Sequence, residues 1–150
     1  MFYSTKIIFS VALCLLISCC LTSCNEKQKV GTLQISETEF LLEQDTQKTT
    51  ISLNVKGKIK NTSPYDIKKI VITGRSKSCS EEMHAGKWFV TKEVKREDQK
   101  DTISYLAAGV EETFSFDGIA YFFRSRSAEI PETYPEDLEV YVESFETVQE

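Results

Sequence analysis

The chain has 150 residues, 41% of them hydrophobic and 27% charged, with 18 basic against 23 acidic side chains and a formal net charge of −5. Such a length suits one domain with a sizeable core. An acidic balance without clustered Lys and Arg excludes a nucleic-acid partner, whose phosphates must be neutralised, and excludes adhesion to an anionic membrane by charge.

In chain order, Met1–Ser23 comes first. It has one positive charge, Lys6, then an apolar stretch from Ile7 to Leu21, then the small residues Thr22 and Ser23. This is the three-part plan of a secretory signal peptide. The apolar stretch falls short of the roughly 20 residues that a spanning helix needs. Leu21-Thr22-Ser23-Cys24 resembles a bacterial lipobox. The resemblance implies cleavage before Cys24 and lipid on Cys24, which places the chain in a bacterial cell envelope, held to the membrane through that lipid. Asn25 after the cysteine resembles an outer-membrane delivery signal, so the outer membrane is the expected address. Residues 1–23 then form the signal peptide, 24–31 the lipidated N-terminus and polar tether, and 32–148 the folded domain.

The leader also changes the cysteine arithmetic. Cys14, Cys19 and Cys20 leave with it and Cys24 carries lipid, so the folded part keeps only Cys79 and cannot form an internal disulfide.

The folded part reads as β throughout. Thr32–Leu42 is predicted to be an edge strand. In Thr50–Lys60, Ile51, Leu53, Val55, Gly57 and Ile59 alternate with Ser52, Asn54, Lys56, Lys58 and Lys60. Period-two alternation predicts a strand with one face on a core and one in water. Asn61–Asp66, with Pro64, is a turn, and Ile67–Thr73 is a second strand, making a hairpin or a corner. Further strands are predicted at Trp88–Val94, Thr102–Leu106, Thr113–Phe123 and from Leu138 to Val142, with Lys95–Asp101 a charged loop. About seven strands without a convincing amphipathic helix predict an antiparallel β-sandwich.

Two stretches carry a resemblance. Val55-Lys56-Gly57-Lys58-Ile59-Lys60-Asn61, followed by Asp66–Ile72, resembles the opening of FxLYD-type and related immunoglobulin-like domains. Ile103-Ser104-Tyr105-Leu106-Ala107-Ala108-Gly109-Val110-Glu111 through Phe114 is similar to their strand-turn-strand. The resemblance covers roughly 52–116 and implies an immunoglobulin-like sandwich. The motif that gives the family its name is absent, with Ile72-Thr73-Gly74-Arg75 near its place. The family has no common catalytic site to carry over.

For chemistry, His84 is the lone histidine, close to Cys79 and Met83. Those three form the weak candidate set for a soft metal, although a zinc site asks for three or four ligands at defined spacing. The expectation is no cofactor, no catalytic residue and no enzyme. Two segments suit binding. One is the loop Gly74–Lys87. The other is Tyr121-Phe122-Phe123-Arg124-Ser125-Arg126. Its three consecutive aromatics cannot all face one core, and aromatics beside Arg124 and Arg126 resemble an interface hot spot. Against this, residues 126–136 with Pro131 and Pro135 can fold back to cover them. The expected function is a lipid-anchored, non-catalytic binding or assembly module for an envelope protein or polymer. The alternatives are a small-ligand or metal carrier and an inhibitor or immunity protein against an extracytoplasmic hydrolase.

Overall fold

The structure, a computed structural model, describes residues 30–45, 49–91, 95–124, 131 and 133–148. Cys24 and the predicted leader before it, Val94 and Arg126 lie outside the described residues. Among the described residues there are seven strands: β1 Leu33–Gln44, β2 Thr50–Asn61, β3 Ile67–Ser76, β4 Trp88–Phe89, β5 Lys100–Leu106, β6 Glu111–Phe123 and β7 Leu138–Thr147. They form two antiparallel sheets, β1-β2-β6-β4 and β5-β3-β7. Two antiparallel sheets of four and three strands make a β-sandwich. The order is the chain's own, with β6 between β2 and β4 and β3 central in the second sheet. The only helix among the described residues is a single 3-10 turn, Glu97–Gln99.

Alternation builds the core as the sequence predicts. Leu53, Val55 and Ile59 of β2 meet Ile67, Ile70 and Ile72 of β3, with Leu106, Phe114, Phe116 and Ile119 filling between the sheets. Each such side chain contributes about 1.5–3 kcal/mol of transfer free energy. β1 is an edge strand, as expected, and runs two residues beyond Leu42. β3 also runs further than Thr73, through Gly74 to Ser76. Gly74 stays in the strand through its pairing with Val140 of β7, and its missing Cβ leaves room for the Ile119 side chain from the facing sheet. Among the described residues of the predicted 88–94 strand, Trp88 and Phe89 alone pair with β6.

β2 and β3 lie in different sheets, so the turn between them is a corner, not a hairpin. Buried Asn61 fastens it. Its Nδ2 donates to the carbonyls of Tyr65 (2.8 Å) and Leu106 (3.0 Å), and its Oδ1 accepts from the Ser63 amide (3.1 Å) and hydroxyl (2.7 Å). The Gly109 amide donates to the Asn61 carbonyl at 2.9 Å, with Gly109 at φ +77°. Asp66 accepts from the Tyr105 hydroxyl and, at 2.9 Å, from the Ala108 amide. The two stretches that carry the family resemblance therefore meet here in space.

A candidate binding groove around Tyr121

The site begins with an irregularity in β6. Leu53 pairs with Ala120 and Val55 with Phe116, so Asn54 alone faces Asp117, Gly118 and Ile119. Such a bulge bends its strand and re-aims side chains. Gly118 supplies the turn at φ +64°, in the left-handed region open to glycine. The Gly118 amide donates to Asn54 Oδ1 at 3.0 Å, and Gln99 Nε2 donates to the Gly118 carbonyl at 2.8 Å.

Both amide side chains are held in turn. Asn54 Nδ2 donates to Glu43 Oε2 at 2.7 Å. Gln99, only 1% exposed, accepts from the Arg96 amide at 3.1 Å and shares hydrogen bonds with the Thr91 hydroxyl. The Thr73 hydroxyl reaches the Gln99 carbonyl at 2.8 Å. Buried polar groups carry large penalties unless satisfied, and no buried side-chain N or O among the described residues lacks a partner. The bulge is thus built into the fold through partners from β1, β2, β3 and the turn before β5.

Tyr121 folds back over this bulge, and a Cβ on Gly118 would collide with its hydroxyl. Its ring lies beside Phe89, centroids 5.8 Å apart. Arg96 Nη2 donates to the Tyr121 hydroxyl at 2.6 Å, and the guanidinium sits 5.8 Å from the ring centroid. Burial pushes the Tyr121 phenol above its ordinary pKa, against the opposing pull of Arg96. Arg96 also pairs with Asp98 at 3.2 Å. Beside Tyr121 opens a groove of about 290 Å³, reaching from the end of β1 to the turn before β5. Glu43, Asp45, Asp98 and Asp117 line it together with Arg96.

The predicted aromatic–Arg surface divides. Phe122 turns inward and is buried, edge-on to Trp88 at 5.5 Å. Tyr121, Phe123 and Arg124 stay half-buried. The described part of 126–136 reaches Trp88 and Phe40, which are not among the three aromatics it was expected to cover. The Trp88 indole donates to the Thr133 carbonyl at 3.2 Å, and Tyr134 reaches the Phe40 carbonyl at 3.5 Å. The three soft-metal candidates sit in different settings. Cys79 packs against the core, where burial raises its thiol pKa. Met83 is 60% exposed, and His84 lies 3.3 Å from Glu82. Among the described residues no three His, Cys, Asp or Glu side chains are placed to share a metal ion. The loop after Ser76 is tied down by Ser80, which bridges to Phe89, and by the Gly86 amide on the Phe123 carbonyl at 2.8 Å.

Sequence reasoning missed Glu43, Asn54, Arg96, Gln99 and Asp117. The available signal was Gly118, an isolated glycine inside a strand pattern, which points to a bulge. No family model, no curated protein and no solved structure matches the chain.

Proposed function

We propose that the chain is a non-catalytic binding module of a bacterial envelope, anchored through lipid on Cys24, that holds a partner protein on the outer face of its four-stranded sheet. The observation that carries this reading is the groove beside Tyr121, a concave feature supported by fully satisfied buried polar groups. Rigid support beneath a surface recess is what a binding site needs to avoid ordering costs on association. A photo-crosslinking residue in place of Gln44, at the groove wall, should give a defined adduct in the native envelope. The same residue at Lys69, on the other sheet, should give none. No adduct, or the same adduct from both positions, overturns the reading. For the anchor, Cys24→Ala should release the chain from the membrane fraction, and unchanged retention would refute lipid attachment there.

The acidic groove also favours a second reading, an inhibitor or immunity protein with a basic hydrolase as its target, since complementary charge speeds such encounters. An adduct at Gln44 with a hydrolase whose activity the chain suppresses would select it.

A further inference from the structure

The outer face of β1, β2 and β6 is electrostatically uneven. Towards one end, Lys56 pairs with Glu39 at 2.9 Å, and Lys58 pairs with Glu37 at 2.7 Å and Glu111 at 3.7 Å. Cations and anions alternate there and cancel. At the groove end, among the described residues, four carboxylates and one cation, Arg96, line the recess, and Arg96 is paired with Asp98. Among the described residues Glu43 receives the neutral Asn54 amide, and neither Glu43 nor Asp117 joins an ion pair. Neutral donors leave a carboxylate's charge in place, so this end presents a negative field to an approaching ligand.

Arg96 shows how a guanidinium sits there: hydroxyl at 2.6 Å, aromatic face at 5.8 Å, carboxylate at 3.2 Å. At about 290 Å³ the recess lies at the small end of ligand sites, sized for a side chain or two and not for a cofactor. Leu41, two residues before Glu43 and so on the same face of β1, is 39% exposed and gives that face an apolar patch.

We propose that this face docks an extended basic segment of a partner protein. A Lys or Arg side chain enters the groove against Glu43 and Asp117, and an apolar residue of the segment rests on Leu41. The assignment rests on the binding-module reading above. An adduct at Gln44 without the charge dependence described next would leave that reading standing and remove only the basic segment.

The test titrates the full chain in detergent with two fluorescein-labelled peptides, one arginine-rich with a single leucine and one with glutamate at every arginine position. The arginine peptide should bind, and more weakly as salt rises. Glu43→Gln with Asp117→Asn should weaken it about fivefold, the combined effect of two exposed charge pairs. Gln at position 43 keeps the acceptor for Asn54, so the bulge stays intact. The charge-matched control, Glu111→Gln with Glu112→Gln, lies outside the groove and should leave affinity unchanged. Equal losses in the two variants, binding of the glutamate peptide, or no binding of the arginine peptide would each overturn the assignment.

Discussion

The corner at Asn61 and the bulge at Gly118 are built alike and end differently. Each has a positive-φ glycine, Gly109 or Gly118, and a buried amide side chain that satisfies several backbone groups. At the corner the partners of Asn61 come from Ser63, Tyr65 and Leu106, and its amide joins the turn to the end of β5. At the bulge the same device leaves Tyr121, Arg96 and Asp117 facing a recess. Buried polar satisfaction therefore serves as a fastener in one place and as a foundation for a surface in the other. The difference lies in what stands above the glycine. A Cβ on Gly109 would meet open space, whereas one on Gly118 would meet the Tyr121 hydroxyl.

Substitutions can pull the two apart. The largest effect belongs to the corner. Asn61→Ala removes two donated bonds and orphans the groups it served, so chemical denaturation should show a loss of about 3 kcal/mol. Arginine-peptide affinity of the molecules that remain folded should not change, and a parallel loss of affinity would show the two regions to be coupled. Gly118→Ala comes next, costing about 2 kcal/mol through its strained backbone. It should also displace Tyr121 and abolish the groove adduct from Gln44. Retained crosslinking would mean that Tyr121 does not shape the recess.

Smaller still is the pH response of the corner. The Tyr105 hydroxyl, then the Ala108 amide, hold the Asp66 carboxyl below its usual value of 3.8. A depressed carboxylate stabilises the fold above its unfolded pKa, and that stability is lost as pH falls through the folded value. Tyr105 moves the other way. The hydrogen bond to Asp66 raises its phenol above 10.0, so its contribution is full below 10.0 and is lost as pH rises through the folded value. Asp66→Asn should flatten the melting profile at both extremes, and an unchanged acid limb would count against this pairing. The smallest effect is expected from Glu39→Gln, which breaks the exposed Lys56 pair and should shift stability by under about 0.5 kcal/mol.

Much of the sandwich was legible because its signals are local. The alternation in Thr50–Asn61 foretold which side chains are buried, with one instructive exception. Asn54 sits on the polar face yet is buried, because the β6 bulge lies over it. Gly74 looked like a strand end, and the strand continues because Gly74 to Ser76 pair with Val140 to Leu138, far along the chain. The turn after Asn61 left hairpin and corner equally open, since the choice depends on Leu106 and Gly109, far along the chain. The groove was the least legible part. Glu43, Arg96 and Asp117 belong to three separated segments, and no spacing within any one of them announces the others. The aromatic run at 121–123 drew attention to the right strand, but the inward turn of Phe122 means that only Tyr121 reaches the recess.

The bulge has a consequence for how this chain can vary. Between its pairings with Val55 and Leu53, β6 takes up four positions where β2 takes up two. The surplus is even, so Phe114 and Phe116 before the bulge and Ala120 and Phe122 after it keep the same inward parity. Gaining or losing a single residue between Phe116 and Ala120 would invert that parity for everything downstream, sending Tyr121 into the core and Phe122 into water. The segment should tolerate changes of residue type at Asp117 far better than any odd change of length.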